Sequence, residues 1–418
     1  MSGETAERDK PTTRPDTPSG VGKRAAARVW RATRAVLITL ALTLAVLIVL
    51  EGVSGAVLFT LDSLQADRQD TAPQTSKLDA ELGWALLPNV EIPALWGPGR
   101  RLHTNGQAFR SDYEILLQEP PGRARLICSG DSFTFGEGVA NEDAWCQLLA
   151  SIDPRLEAVN LGQPGYGVGQ AFLWFMRSTE TIEHSFHILA FITLDFNRMR
   201  RSSFRLWEKP KLVVRDGELV IANYPVDRNQ RLMSWLEARR KIGKRFNVWR
   251  LVKRIEASLE AEERESTADA NDDAAQGRDV VPPLPDSASR AVAAAIFSRL
   301  TERNRAKGST LVLVHLPGMA DLEAGARIPL YRSWDRFLTE QAAQHDYLYI
   351  DLVPELAALS EDEQWRLFIA QDFEGYRGAA GHYSAYGNAL VARVLYDRLI
   401  QIPAIRERLA ALPPPDVE

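Results

Sequence analysis

Ser132 stands where a nucleophile would be useful. It follows a short apolar run, Leu126-Ile127-Cys128, that stops at Gly130-Asp131. An apolar run ending at a glycine reads as a buried strand meeting a tight turn. Open α/β sheets place their ligands at the C-terminal ends of strands. A serine hydroxyl is a weak nucleophile until an adjacent base takes its proton, so the six histidines decide what Ser132 can do. His103 precedes the apolar run, and His184 and His187 fall before or within a predicted strand. His315 lies late in another strand, and His345 ends a helix. His382 differs: Gly381-His382-Tyr383-Ser384 is a loop after the last predicted strand that turns directly into the last helix. Loops after strands gather at one sheet edge, so Ser132 and His382 can meet despite their separation. Asp131, adjacent to the serine, suits a turn-capping role rather than that of a catalytic acid.

The elements that must position these groups alternate. Strands are predicted over Arg123–Ser129, Leu156–Leu161, Phe186–Thr193, Thr310–Leu316 and Tyr347–Leu352. Helices are predicted over Asp143–Ser151, Gly167–Arg177, Leu330–His345 and Ser384–Leu399. Strands separated by helices imply βαβ units, a parallel sheet and the α/β class. Residues 201–289 interrupt this domain, which is therefore split into 123–200 and 290–403. Within the insertion, Lys211–Val226 reads as a hairpin turning at Asp216-Gly217. Arg231 to Glu263 reads as an amphipathic helix, and Glu260 to Ser289 as a disordered linker. Residues 79–122 form an irregular lead-in packed on the main domain.

The N-terminus points to a membrane. Residues 1–34 begin with a polar tail that reads as disordered and end with Lys23, Arg24, Arg28, Arg31 and Arg34. Residues 35–61 are apolar except for Glu51 and long enough to span a bilayer. The cationic flank precedes the span, so the expectation is a single-pass inner-membrane protein with its N-terminus cytoplasmic and its main domain periplasmic. Asp62 to Lys77 reads as a polar stalk. Over 418 residues, 45% are hydrophobic and 25% charged, as in ordinary globular proteins. A net charge of -5 gives no reason to expect nucleic acid as a partner. Cys128 and Cys146 are too few for a disulfide framework. They either pair in an oxidising compartment or serve as two small buried apolar groups. Acidic residues and histidines do not cluster at ligand spacing, so no metal is implied.

GDSFTFGEG, NLGQPGYGVGQ and GHYSAYGN together resemble the SGNH (GDSL-type) hydrolases. More narrowly, the chain resembles their membrane-anchored bacterial members, which carry an ELGW…LPN…TN…FR lead-in. The resemblance spans Glu81 to Leu399. It implies a flavodoxin-like three-layer α/β/α fold, Ser132 as nucleophile, His382 as general base and no cofactor. It also implies an oxyanion hole from the backbone N–H groups of Ser132 and Gly165. The function expected is that of an extracytoplasmic serine esterase or acyltransferase. Its substrate would be an ester, O-acetyl included, of a cell-envelope glycan or lipid. Two positions depart from the pattern. Leu194 occupies the place of the asparagine that supplies a third oxyanion donor, which leaves Asn197 to substitute if the loop bends, with Thr193 the weaker candidate. Ala379 and Ala380 occupy the places of the acid that orients the histidine, which leaves Asp372, with Glu374 beside it, to fold back. These departures motivate an alternative: a degenerate member that binds or scaffolds an envelope polysaccharide assembly.

Overall fold

The computed structural model of the chain describes residues 20–70, 75–204, 207–226, 248, 284–323, 329–345, 347–370 and 379–413. The chain divides into two compact units, one holding the long N-terminal helix and the other the parallel sheet. The predicted helix Arg231 to Glu263 apart from Val248, most of the predicted linker and the start of the N-terminal tail lie outside the described residues.

The first unit is built on α1, Gly20–Asp70. Within it, Arg28–Leu58 has a mean hydropathy of 2.6 and is long and apolar enough to cross a membrane. The helix corrects two expectations. It starts at Gly20, because Ala25-Ala26-Ala27 and the interspersed arginines are strong helix formers. It also runs on through the first part of the expected stalk to Asp70. Glu51, the one acid inside the apolar stretch, accepts a hydrogen bond from the Val248 backbone N–H at 3.2 Å.

The second unit opens with two short antiparallel pairs: β1 (Ser76–Asp79) with β2 (Gly83–Leu86), and β3 (Glu91–Ile92) with β4 (Leu102–His103). Five parallel strands follow: β5 (Ala124–Gly130), β6 (Leu156–Gly162), β7 (Phe186–Phe191), β12 (Thr310–His315) and β13 (Leu348–Asp351). Their spatial order is β13-β12-β7-β5-β6, the doubly wound flavodoxin-like arrangement. Every residue of β5, β6 and β7 is buried, which is why these strands are mostly apolar rather than alternating, with the buried Arg125 of β5 paired to Glu157 of β6.

The alternation is there all the same, divided between two cores. Ile127, Val159, Leu189 and Leu313 face one side, with α4 (Val168–Ser178), α6 (Ser287–Ala306) and α7 (Pro329–Gln344). Leu126, Cys128, Ala158, Ile188 and Val312 face the other, with α3 (Trp145–Ile152) and α8 (Ala385–Leu399). Three layers result. Cys128 and Cys146 are both buried in the second core as free thiols.

Several boundaries differ from expectation for local reasons. Asn141–Asp143 forms a 3₁₀ turn, so α3 starts at Trp145 rather than Asp143. Thr193 opens a helix, α5 (Thr193–Met199), instead of ending β7, because the Asp195 carboxylate folds back to accept the Ile192 N–H at 3.1 Å. Asp286 caps α6, and Ser287 to Ser289 are helical rather than linker. The insertion is also less separate than its sequence suggests. It begins with β8 (Ser203–Phe204) and β9 (Trp207–Glu208). The predicted hairpin follows as β10 (Leu212–Arg215) and β11 (Glu218–Ile221), with Asp216 at φ 52° and Gly217 at φ 83°. Positive φ at both central residues is what a type I′ turn requires. Leu212 is buried in the same core as α4 and α6, so this hairpin is part of the domain.

Candidate active site

β5 delivers the serine. Asp131 caps a single helical turn, α2 (Ser132–Phe135), its carboxylate accepting the Phe133 N–H at 2.8 Å. Ser132 is therefore the first helical residue, raised at the C-terminal end of the interior strand β5 and only 4% exposed. The turn closes at Gly136, in the left-handed region at φ 80°. Behind it, Arg110 of the lead-in is fully buried and binds the loop from below. Its guanidinium donates to the carbonyls of Phe135, Gly136 and Val139, the last two at 2.5 Å, and to Asn141 Oδ1 at 3.0 Å. The FR pair of the lead-in thus braces the turn that presents Ser132.

The histidine arrives from near the other end of the chain. The loop before α8 is strapped to residues 367–369: Ile369 N–H donates to His382 O at 2.8 Å, Gly381 N–H to Ile369 O at 2.9 Å and Ser384 N–H to Leu367 O at 2.7 Å. Asn388 fastens the start of α8 to α3, its Oδ1 accepting the Trp145 N–H at 3.0 Å. Trp145 in turn donates from Nε1 to Phe133 O at 3.0 Å. The serine turn and the histidine loop thus share one rigid support. His382 Nε2 lies 2.8 Å from Ser132 Oγ. Its other ring nitrogen, Nδ1, lies 3.2 Å from the Ala379 carbonyl. An Nδ1–H donated to that carbonyl leaves Nε2 as the acceptor facing the serine, the tautomer a base needs. Alanine stands where an acid was expected, yet its own main chain supplies an orienting acceptor. Asp372 and Glu374 lie outside the described residues.

The backbone donors expected for an oxyanion hole are those of Ser132 and Gly165. Among the described residues, neither the Ser132 N–H nor the Gly165 N–H has a hydrogen-bond partner. Gly165 sits at φ 77°, and a Cβ there would come within 2.7 Å of the Phe204 ring. Trp84 closes the same side, stacked on Phe204 at 6.2 Å. Gly165→Ala should therefore cost about 1–3 kcal/mol from left-handed backbone strain alone, with the Phe204 clash added, measurable as a lower denaturation midpoint. Leu194 turns into the second core rather than toward a polar partner. Asn197 Nδ2 is buried and has no hydrogen-bond partner among the described residues.

Charge is concentrated beneath the nucleophile. Arg198 bridges Asp131 and Asp195, all three nearly buried. Burial raises the Asp131 carboxyl above the ordinary range against the pull of Arg198. Burial, with Asp131 nearby, raises Asp195 much further. Lys209 is buried beside them, its ammonium lowered to about 7 by burial and by Arg198.

The other histidines stand apart. His187 Nε2 lies 2.7 Å from Ser129 Oγ, but both are fully buried within the sheet, and burial holds the imidazole far below its usual value. His184 shares Asn304 with His187. His315 is buried against Thr193 Oγ1 at 3.0 Å, His103 is bound to Ser111 O at 2.8 Å and His345 is exposed. Sequence reasoning missed Arg110, Arg198 and Asn388. The signals present were the FR pair for Arg110, the end of GHYSAYGN for Asn388 and the i, i+3 spacing of Asp195 and Arg198, but none of them disclosed a role.

No protein-family model and no curated protein matches the chain. Solved structures do. A lipase/acylhydrolase from Enterococcus faecalis aligns at 10% identity and TM-score 0.36, over 70% of this chain and 100% of that one. A member of the lipolytic protein G-D-S-L family from Veillonella parvula aligns at 13% identity and TM-score 0.35, over 66% and 99%. A catalytic mutant of an acetylxylan esterase from Geobacillus stearothermophilus aligns at 13% identity and TM-score 0.33, over 69% and 99%. The fold itself is read from the chain's own topology, a five-stranded parallel sheet in doubly wound order with helices on both faces.

Proposed function

We propose that the chain is a membrane-anchored serine esterase or acyltransferase working through an acyl-Ser132 intermediate. The observation that carries this reading is the 2.8 Å contact between Ser132 Oγ and His382 Nε2 at the C-terminal edge of the sheet. In the proposed reaction His382 takes the Ser132 proton as Oγ attacks an ester carbonyl. The Ser132 and Gly165 N–H groups receive the developing oxyanion. Asn197 Nδ2, a buried donor with no partner among the described residues, is the candidate for the third position. His382 then protonates the departing alkoxide. In the second half, water or an acceptor hydroxyl gives its proton to His382 and attacks the acyl-serine, which returns Ser132 and frees an acid or a new ester. The Ala379 carbonyl behind His382 favours the tautomer with Nε2 free to accept the serine proton.

The substrate proposed is an ester, O-acetyl included, on an envelope glycan or lipid. Lys23, Arg24, Arg28, Arg31 and Arg34 before the span favour a cytoplasmic N-terminus, with the sheet domain on the far side. One observation favours the binding-protein alternative: the apolar Leu194 where a donor was expected. The two readings separate by assaying the full-length chain in detergent with an O-acetylated oligosaccharide, with and without a hydroxyl acceptor. Free acetate marks an esterase, and acetate moved to the acceptor marks a transferase. Binding of the oligosaccharide with its acetyl groups untouched, in folded protein, would establish the alternative.

A further inference from the structure

We propose that Arg198 is a positioning residue that gathers the three loops of the site around Ser132, an inference that rests on reading Ser132 as the nucleophile. One guanidinium nitrogen, Nη1, reaches all three. It lies 3.1 Å from Asp131 Oδ2, 2.9 Å from Asp195 Oδ1 and 3.4 Å from the Tyr166 carbonyl. Each contact is one residue from a position that matters. Asp131 precedes the nucleophile and caps its helical turn. Tyr166 follows Gly165. Asp195 follows Leu194 and holds the Ile192 N–H that ends the third sheet strand in sequence. The guanidinium also lies 5.0 Å from the Phe204 ring, which seats the β8–β9 hairpin against Gly165.

The third strand's loop has lost the asparagine that would point a donor at the site. It keeps an acid that, through Arg198, is tied to the loops carrying the other two donors. An oxyanion hole works only when its donors are preorganised, and a misplacement of about 1 Å costs roughly 100-fold in rate. Arg198 thus does its work through Asp131, Tyr166 and Asp195, without touching the substrate. Removing one partner from a buried charge network leaves the others uncompensated, and here those others are two carboxylates facing each other. Lys209, which also feels Arg201, is the further charge beside Arg198 and Asp195.

The test uses the full-length chain in detergent, with Arg198→Met and Arg198→Lys assayed on p-nitrophenyl acetate. Arg198→Met should lower kcat about 100-fold with KM changed less than about threefold, and Arg198→Lys should recover part of the loss. The pH profile separates positioning from general damage. Without the guanidinium, Asp131 and Asp195, already raised by burial, hold a shared proton at low pH. They lose it as pH rises and then repel. Arg198→Met should therefore lose activity with rising pH relative to the wild-type chain, whose guanidinium offsets that repulsion.

Amide hydrogen exchange reads the same role without turnover. In Arg198→Met, exchange should rise together in residues 132–136, 165–169 and 192–198 while the β5 and β6 amides stay protected. A chain with no esterase activity but this joint loosening would refute the esterase reading and keep Arg198's role. Unchanged exchange in the three loops, or kcat within about threefold of wild type, would overturn the proposal. If Arg198→Met does not fold, Asp195→Asn, which keeps an acceptor for the Ile192 N–H, carries the same exchange test.

Discussion

Replacing Ser132 with alanine should lower kcat for ester turnover by about 10⁴- to 10⁶-fold and leave the melting temperature within about 2 °C of wild type. The split follows from what the hydroxyl touches. Its hydrogen bond is to His382 Nε2, so its removal deletes the nucleophile and little packing. Alanine also suits the first turn of a helix. His382→Ala should lose turnover to a similar extent. The double substitution should be scarcely worse than either single one, because a nucleophile and its base act as a unit. Stopped assays of acetate release, with thermal melts of the same preparations, check all three variants. Independent, additive losses would mean that the two residues do not share a step.

Replacing Arg110 with alanine should lower folding stability by about 3–5 kcal/mol, the largest effect on stability expected in the chain. Arg110 is fully buried, and burial brings its guanidinium down only to about 9, so it remains charged at neutral pH. Its group lies 4.6 Å from the Phe135 ring and 5.3 Å from the Trp96 ring and satisfies three carbonyls of the loop after Ser132. Removing it leaves those carbonyls buried without their donor and opens a cavity between the rings. Lysine would not rescue it, since one ammonium cannot present donors across that spread of acceptors. Chemical denaturation read by tryptophan fluorescence would measure the loss. A change below about 1 kcal/mol would show that the lead-in does not brace the serine turn.

What could be read from the sequence, and what could not, divides along physical lines. The strands β5, β6, β7 and β12 were legible because they are buried on both faces and carry mostly apolar residues, while the edge strand β13 was marked by its Leu-Tyr-Ile run although Leu348 is exposed. The Asp216-Gly217 hairpin was legible because positive φ at two successive positions restricts the residue types. Ser132 at a strand end and His382 in a late loop were legible because chain topology alone carries both to one sheet edge. α5 was not, since Thr193-Leu194-Asp195-Phe196-Asn197 shows no helical period and its start depends on Asp195 reaching back to Ile192. The orienting acceptor for His382 was not legible either. A main-chain carbonyl leaves no mark on residue type, and the side chain at Ala379 gave no hint of it. Arg110 and Arg198 escaped because their partners come from loops distant in the chain, and only the folded arrangement brings them into reach.

The central claim is that Ser132 is a nucleophile activated by His382. A fluorophosphonate probe reports this directly, because its phosphorus is attacked by an activated serine in folded protein and the adduct can be mapped by mass spectrometry. The account predicts one dominant adduct, on Ser132, that disappears in His382→Ala. An unmodified Ser132 in protein shown to be folded, or an adduct that forms equally fast without the imidazole, would contradict it.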